Sequence, residues 1–136
     1  MDEDKKYLEA RRQRNIKNVC DLKYLTETMG GNKKLIKEIM DVFLKQVPKD
    51  LSGLNAAVIK ADYPNIKSFA HTLKSSVSIM GISVLAPILY EMEELAKGAA
   101  SPDSYRDEKI KKLNNQLNSI CRQAIEEIEK EKHNYI

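Results

Sequence analysis

The fold is decided by residues 32–48, which read NKKLIKEIMDVFLKQVP. Their apolar side chains recur at intervals of three and four, the spacing that places residues on one face of an α-helix. Asn32 is a favourable residue to cap the start of that helix, and Pro48 predicts either its end or a kink before a further helix. This is the strongest helical period in the chain, and it is formed by Leu35, Ile36, Ile39, Met40, Phe43, Leu44 and Val47.

Shorter helices are predicted on the amino-terminal side of this stretch. Asp21 can cap a short helix, which Gly30 and Gly31 then stop. Residues 2–16 are mostly charged and carry only a few apolar side chains. They predict an additional amino-terminal helix whose packing the sequence leaves open.

Two more helices are predicted on the carboxyl-terminal side. Asp62 is a suitable capping residue for a helix that breaks at Gly81. Ser83 can cap the next helix, whose inward face begins at Val84 and which ends before Gly98. Both helices carry apolar residues at helical spacing, so each is expected to bury one face.

The last predicted helix begins at Ser101-Pro102 and extends over about residues 102–131. Aliphatic residues dominate the apolar content, because only 6% of the 136 residues are aromatic and none is Trp. No segment alternates apolar and polar residues as a half-buried strand does. The sequence therefore predicts one all-α domain over residues 1–136, an antiparallel four-helix bundle with additional short N-terminal helices.

Charge and cysteine content exclude several classes of function. The 23 basic and 20 acidic residues are interspersed and give a net charge of +3, so nucleic acid is not an expected partner. No window approaches the roughly 20 apolar residues of a membrane span, and a cytoplasmic protein without membrane insertion is expected. Cys20 and Cys121 lack the spacing of a zinc site, which favours reduced structural thiols and predicts no metal site.

His71 is the candidate functional residue. At about 100° per residue, it lies roughly 140° from the centre of the apolar stripe on its helix, so its imidazole is predicted to be exposed. Lys67 and Lys74 supply positive charge beside it. Ser75 and Ser78 have short side chains, which leave the imidazole accessible. An exposed imidazole between cations can accept an anionic group as a nucleophile, although surface histidines without such a role are common.

The sequence around His71 resembles that of the histidine-containing phosphotransfer (HPt) family of two-component phosphorelays. The resemblance rests on FAHTLKSS at residues 69–76, followed by Gly81 ten residues after the histidine. It extends over roughly residues 17–98, through the segments 29–32, 43–48 and 85–95 and through Asp62.

The resemblance implies a phosphoryl carrier without an ATP site or cofactor of its own. His71 would accept a phosphoryl group from the aspartate of one receiver domain and pass it to the aspartate of another, with Lys74 as the second catalytic residue. The implied partners are response-regulator receiver domains, which supply Mg²⁺, and a hybrid sensor histidine kinase. The residues expected to support receiver docking are Lys67, Ser75, Ser78 and Gly81.

Two departures from the family and two other functions bear on this interpretation. Ile82 replaces the Ala that the family often has after the glycine, which is expected to alter packing only. Ser75 stands where the family often has Gly, and its small side chain still permits close approach of a partner. The phosphoacceptor bundle of a sensor histidine kinase is less favoured, because Thr72 and Ser76 stand where that motif usually has an acid and a proline. A helical adaptor that is never phosphorylated is the other alternative.

Overall fold

Five α-helices make up most of the residues that the computed structural model describes, 18–97 and 103–135. No strand occurs among these residues, so the predicted all-α class is confirmed. The helices are α1 (Leu22–Thr28), α2 (Lys33–Ile59), α3 (Tyr63–Ile79), α4 (Leu85–Ala96) and α5 (Ser104–Lys132), and a 3₁₀ turn follows at His133–Tyr135. The amino-terminal helix predicted over residues 2–16 lies outside the described residues.

Helices α2 to α5 form the predicted four-helix bundle. Short turns reverse the chain between α2 and α3 and between α3 and α4, so consecutive helices run antiparallel. Helix α2 packs against α3 and α5, and α4 packs against the same two helices. The core between them includes Met40, Val47 and Leu54 of α2, Ile66, Leu73 and Val77 of α3, Leu85, Leu89 and Met92 of α4, and Ile110, Leu117 and Ile128 of α5.

Three predicted helix starts are confirmed by side-chain caps. The carboxylate of Asp21 accepts a hydrogen bond from the backbone of α1, Asn32 caps α2, and Asp62 caps α3. Each cap satisfies a backbone N–H that has no partner within the first turn. Helix α2 runs on through Pro48, so the predicted continuation into the further helix is observed and the predicted end at this residue is not.

One predicted helix start is wrong. Ser83 lies in a turn before α4, where its backbone carbonyl accepts from Ala86 at 3.3 Å, and α4 is capped by Val84 without a side-chain hydrogen bond. Val84 does not face inward, because 48% of its surface is exposed. Helix α5 begins at Ser104, where the carboxylate of Asp103 provides its cap, and the predicted start at Ser101-Pro102 lies outside the described residues.

Both cysteines are free thiols in the core. Burial raises the pKa of Cys121 to about 12. Burial, together with the neighbouring Glu127 carboxylate, also raises the pKa of Cys20. Both thiols are therefore protonated at neutral pH, in agreement with the structural role that the sequence predicts.

Gly81 fixes α1 against the end of α3. Its φ of +67° is a conformation that side chains with a Cβ rarely adopt, and a Cβ added there would lie 2.7 Å from the Cβ of Asp21. The backbone N–H of Asp21 donates to the carbonyl of Met80 at 3.1 Å, and that of Ile82 donates to the carbonyl of Val77 at 3.0 Å. This turn ends the helix that carries His71, as predicted, and leaves no room for a larger residue.

We expect Gly81→Ala to destabilise the fold more than Gly30→Ala, measured by urea unfolding. Gly30 also has a positive φ, +63°, but a Cβ added there would meet nothing within 4 Å. Gly30→Ala should therefore cost only the backbone penalty of about 1 kcal/mol, whereas Gly81→Ala adds a steric clash and should cost about 2 kcal/mol or more. Equal losses would mean that the contact with Asp21 does not constrain the turn.

Candidate functional site

His71 lies on an exposed face of α3. Its side chain is 72% exposed, as the sequence predicts. The side chains of Lys67, Ser75 and Ser78 are also exposed, and at 100° per residue they project within about 40° of His71. We refer to Lys67, His71, Ser75 and Ser78 as the histidine face.

A buried carboxylate of the neighbouring helix α4 holds the imidazole. Glu93, whose side chain is 8% exposed, places Oε2 at 3.2 Å from Nδ1 of His71. Its other oxygen, Oε1, lies 2.7 Å from the Nζ atom of Lys74. One carboxylate therefore bridges an imidazole and an ammonium that lie three residues apart on α3.

The Lys74 ammonium keeps Glu93 ionised. Its hydrogen bond lowers the pKa of Glu93, the hydrogen bond with His71 lowers it further, and burial of the carboxyl acts in the opposite direction. The net pKa lies below its ordinary value, so Glu93 carries a negative charge at neutral pH. A buried charge of this kind is tolerated in proteins only when it is paired and hydrogen-bonded, as Glu93 is.

The ionised carboxylate selects one tautomer of the neutral imidazole. A carboxylate can only accept hydrogen bonds, so the ring nitrogen that faces it, Nδ1 of His71, carries the hydrogen. The other nitrogen, Nε2, then keeps its lone pair. His71 thus has a fixed ring orientation and a defined nucleophilic atom on an exposed side chain.

Lys74 lies beside the histidine face, on the side of α4. Its side chain is 31% exposed, and its Nζ atom lies 5.8 Å from the centre of the Tyr90 ring as well as next to Glu93. The structure therefore gives Lys74 a partner that the sequence did not suggest. Its role toward a phosphoryl group stays a prediction.

Glu93 is the residue that the sequence interpretation missed. It lies on the inward stripe of α4, four residues after Leu89 and three before Ala96, where apolar side chains are expected. A charged residue on an otherwise apolar stripe is a detectable signal, because such a residue must find a partner. The sequence does not identify that partner, since His71 lies 22 residues away on another helix.

An apolar groove borders the histidine face on its other side, between α2 and α3. We refer to it as the α2–α3 groove. It encloses about 290 Å³ and is lined mainly by Leu35, Ile39, Val42, Phe43, Ile79 and Met80. Three of these residues are notably exposed for apolar side chains: Leu35 at 37%, Val42 at 63% and Ile79 at 46%. Leu35 therefore departs from the sequence prediction that it faces the core.

The remaining predicted site residues lie close to His71 but make different contributions. Ser75 and Ser78 have short side chains that do not obstruct the histidine face, and Lys67 adds an exposed cation. Gly81 lies at the end of α3, where its contact with Asp21 serves the turn. The role of Lys67, Ser75, Ser78 and Gly81 in receiver docking stays a prediction.

Two kinds of site have no candidate among residues 18–97 and 103–135. No group of three or more His, Cys, Asp or Glu side chains in these ranges could hold a metal ion. Within the same ranges, no helix combines the length and the apolar character needed to cross a membrane.

Comparison with family models gives a match to the Hpt domain over residues 38–131, more than half of the chain. The chain belongs to the Hpt domain family. The resemblance drawn from residues 69–76 is thus confirmed, and His71, Lys74 and Glu93 all lie in the matched region. Hpt domains are phosphocarriers rather than catalysts, and they work with receiver domains in two-component signalling. Comparisons with curated proteins and with solved structures gave no match.

We expect Lys74→Ala to destabilise this Hpt domain by about 1–3 kcal/mol in urea unfolding, because it removes the ammonium from a buried carboxylate. Lys109→Ala is the matched control. It breaks a 3.0 Å ion pair with Glu91 in which both side chains are well exposed, and it should have little effect. In a Glu93→Gln background, Lys74→Ala should cost less, since no buried charge remains. Similar losses for Lys74→Ala in both backgrounds would contradict the assigned pairing.

Proposed function

We propose that this Hpt domain carries a phosphoryl group on Nε2 of His71 within a multistep phosphorelay. It accepts the group from the aspartate of a receiver domain, which a hybrid sensor histidine kinase can supply, and passes it to the aspartate of a second receiver. The relay so proposed operates in the cytoplasm. The observation that carries the proposal is the exposed His71 imidazole, held at Nδ1 by the buried Glu93 carboxylate.

The chemical step uses the lone pair of Nε2. This atom attacks the phosphorus of the aspartyl phosphate, the bond from phosphorus to the aspartate oxygen breaks, and the receiver carboxylate leaves with the electron pair. Nδ1 keeps its hydrogen, so the ring gains positive charge, which the ionised Glu93 next to it stabilises. Transfer to the second receiver reverses these bond changes.

Other groups of the site act on the phosphoryl oxygens. Lys67 is exposed on the histidine face and Lys74 lies beside it, so both place positive charge near the transferred group. In this proposal the Mg²⁺ that assists the transfer belongs to the receiver. With Mg²⁺ supplied by the receiver, the Hpt domain itself contributes a nucleophile, the carboxylate that orients it and two nearby cations.

Receiver docking is proposed to use the histidine face together with the α2–α3 groove. The two surfaces are continuous, because Ile79 lines the groove and projects only about 80° from His71 around α3. The groove offers apolar side chains that stay exposed in the isolated domain. A receiver that covers them while reaching His71 would bury apolar surface and exclude water from the transfer.

We expect wild-type protein to acquire acid-labile label from a phosphorylated receiver and His71→Gln to acquire none. The fold should survive this change, because His71 lies off the apolar face and the amide of Gln can still donate a hydrogen bond to Glu93. His133→Gln is the matched control, since the second histidine is also exposed but lies after α5, outside the site. Label on His71→Gln would contradict the proposal, and a wild type that never acquires label would favour the unphosphorylated adaptor.

We expect Val42→Glu to weaken receiver binding by about tenfold or more, because it places a charge in the apolar part of the proposed interface. Ile59→Glu is the matched control, as Ile59 is 81% exposed and lies at the far end of α2. Dissociation constants for the unphosphorylated receiver would be measured by titration. If both variants bind like wild type, the α2–α3 groove is not the docking surface.

A further inference from the structure

Tyr90 is a large aromatic residue on α4 that remains 57% exposed. It precedes Glu93 by three residues, so the two side chains lie on neighbouring turns of the same side of the helix. The Nζ atom of Lys74 lies 5.8 Å from the centre of the Tyr90 ring. This is within the distance at which an ammonium is attracted to an aromatic face.

The ring has a specific consequence for Lys74. A lysine side chain has four rotatable bonds, and ordering it opposes ion pairing because conformational freedom is lost. In this site the ammonium is attracted on one side by Glu93, at 2.7 Å, and on another by the Tyr90 ring. Two attractions from adjacent turns of α4 restrict Lys74 more than the carboxylate alone would.

We propose that Tyr90 is a positioning residue, which holds the Lys74 ammonium on Glu93 and thereby keeps Glu93 in place beneath His71. This inference rests on the proposed function, in which His71 is the nucleophile. Its physical basis is separate, since the contacts among Tyr90, Lys74 and Glu93 exist whether or not His71 is phosphorylated.

The predicted effect follows from the strength of the contact. An exposed interaction between an ammonium and an aromatic ring changes an equilibrium by about two- to fivefold. Without the ring, Lys74 leaves Glu93 more often, and the carboxyl is then less strongly held in its ionised form. The carboxylate is also less restricted in orientation, so a smaller fraction of His71 rings presents Nε2 outward.

The test compares Tyr90→Leu, which keeps apolar bulk but loses the aromatic face, with Tyr90→Phe, which keeps that face. Tyr105→Leu is the control for loss of an exposed tyrosine, because Tyr105 is 74% exposed at the start of α5. The first readout is the titration of the Glu93 carboxyl carbon by ¹³C NMR. Among the described residues, the charged groups near this carboxyl are His71 and Lys74 on α3 and Lys97, which directly follows α4, and all are retained in each variant.

The second readout is the rate at which phosphoramidate labels His71 in the full chain. Nε2 attacks phosphorus, the phosphorus–nitrogen bond of phosphoramidate breaks, and ammonia leaves. This small donor bypasses receiver docking, so a change in rate reports on the site itself. Tyr90→Leu should raise the Glu93 midpoint by about half a pH unit and slow labelling about two- to fivefold. Tyr90→Phe and Tyr105→Leu should match wild type in both readouts.

The proposal is overturned if Tyr90→Leu leaves either the Glu93 midpoint or the labelling rate unchanged. It is also overturned if Tyr90→Phe behaves like Tyr90→Leu, because the hydroxyl rather than the ring would then be responsible. A wild type that phosphoramidate does not label at all would count against the proposed function. The NMR titration would in that case still decide whether Tyr90 holds Lys74 on Glu93.

Discussion

The buried carboxylate of Glu93 links the two helices on which the site depends. It joins α4 to α3 through both His71 and Lys74, and its charge is compatible with burial only while those partners are present. The same contact therefore contributes to packing and, in the proposed function, to chemistry. It holds the imidazole ring on an exposed helix face, where 72% of the His71 side chain is accessible.

The bundle makes this contact possible by setting the register of α3 against α4. The short turn at Gly81 reverses the chain within a few residues, so the second half of α4 returns alongside the middle of α3. The apolar residues Leu89 and Met92 of α4 pack in the core, and this packing brings Glu93 to the edge of the interface between α3 and α4. On the other side of α3, the packing of α2 leaves the apolar α2–α3 groove. His71 therefore lies between the charged side chains of Lys74 and Glu93 on one side and this groove on the other.

Local interactions explain which parts of this arrangement could be predicted from the sequence. Asp21, Asn32 and Asp62 cap their helices by bonding backbone groups three residues away, so each signal is contained in a short window. The exposure of His71 follows equally from helical period. The pairing of Glu93 with His71 could not be predicted in this way, because it depends on how two helices pack. The predicted burial of Leu35 fails for a related reason, because helical period identifies an apolar face but not how far the neighbouring helix covers it.

The central claim is that Glu93 fixes the hydrogen on Nδ1 of His71 and leaves Nε2 to carry the phosphoryl group. It is tested most directly by ¹⁵N NMR of protein labelled in its histidine rings, recorded at neutral pH before and after phosphorylation. The expected result is a hydrogen on Nδ1 in the unmodified protein and a phosphorus–nitrogen coupling at Nε2 in the phosphorylated protein. A hydrogen on Nε2 before the reaction, or a phosphoryl group on Nδ1 after it, would contradict the claim.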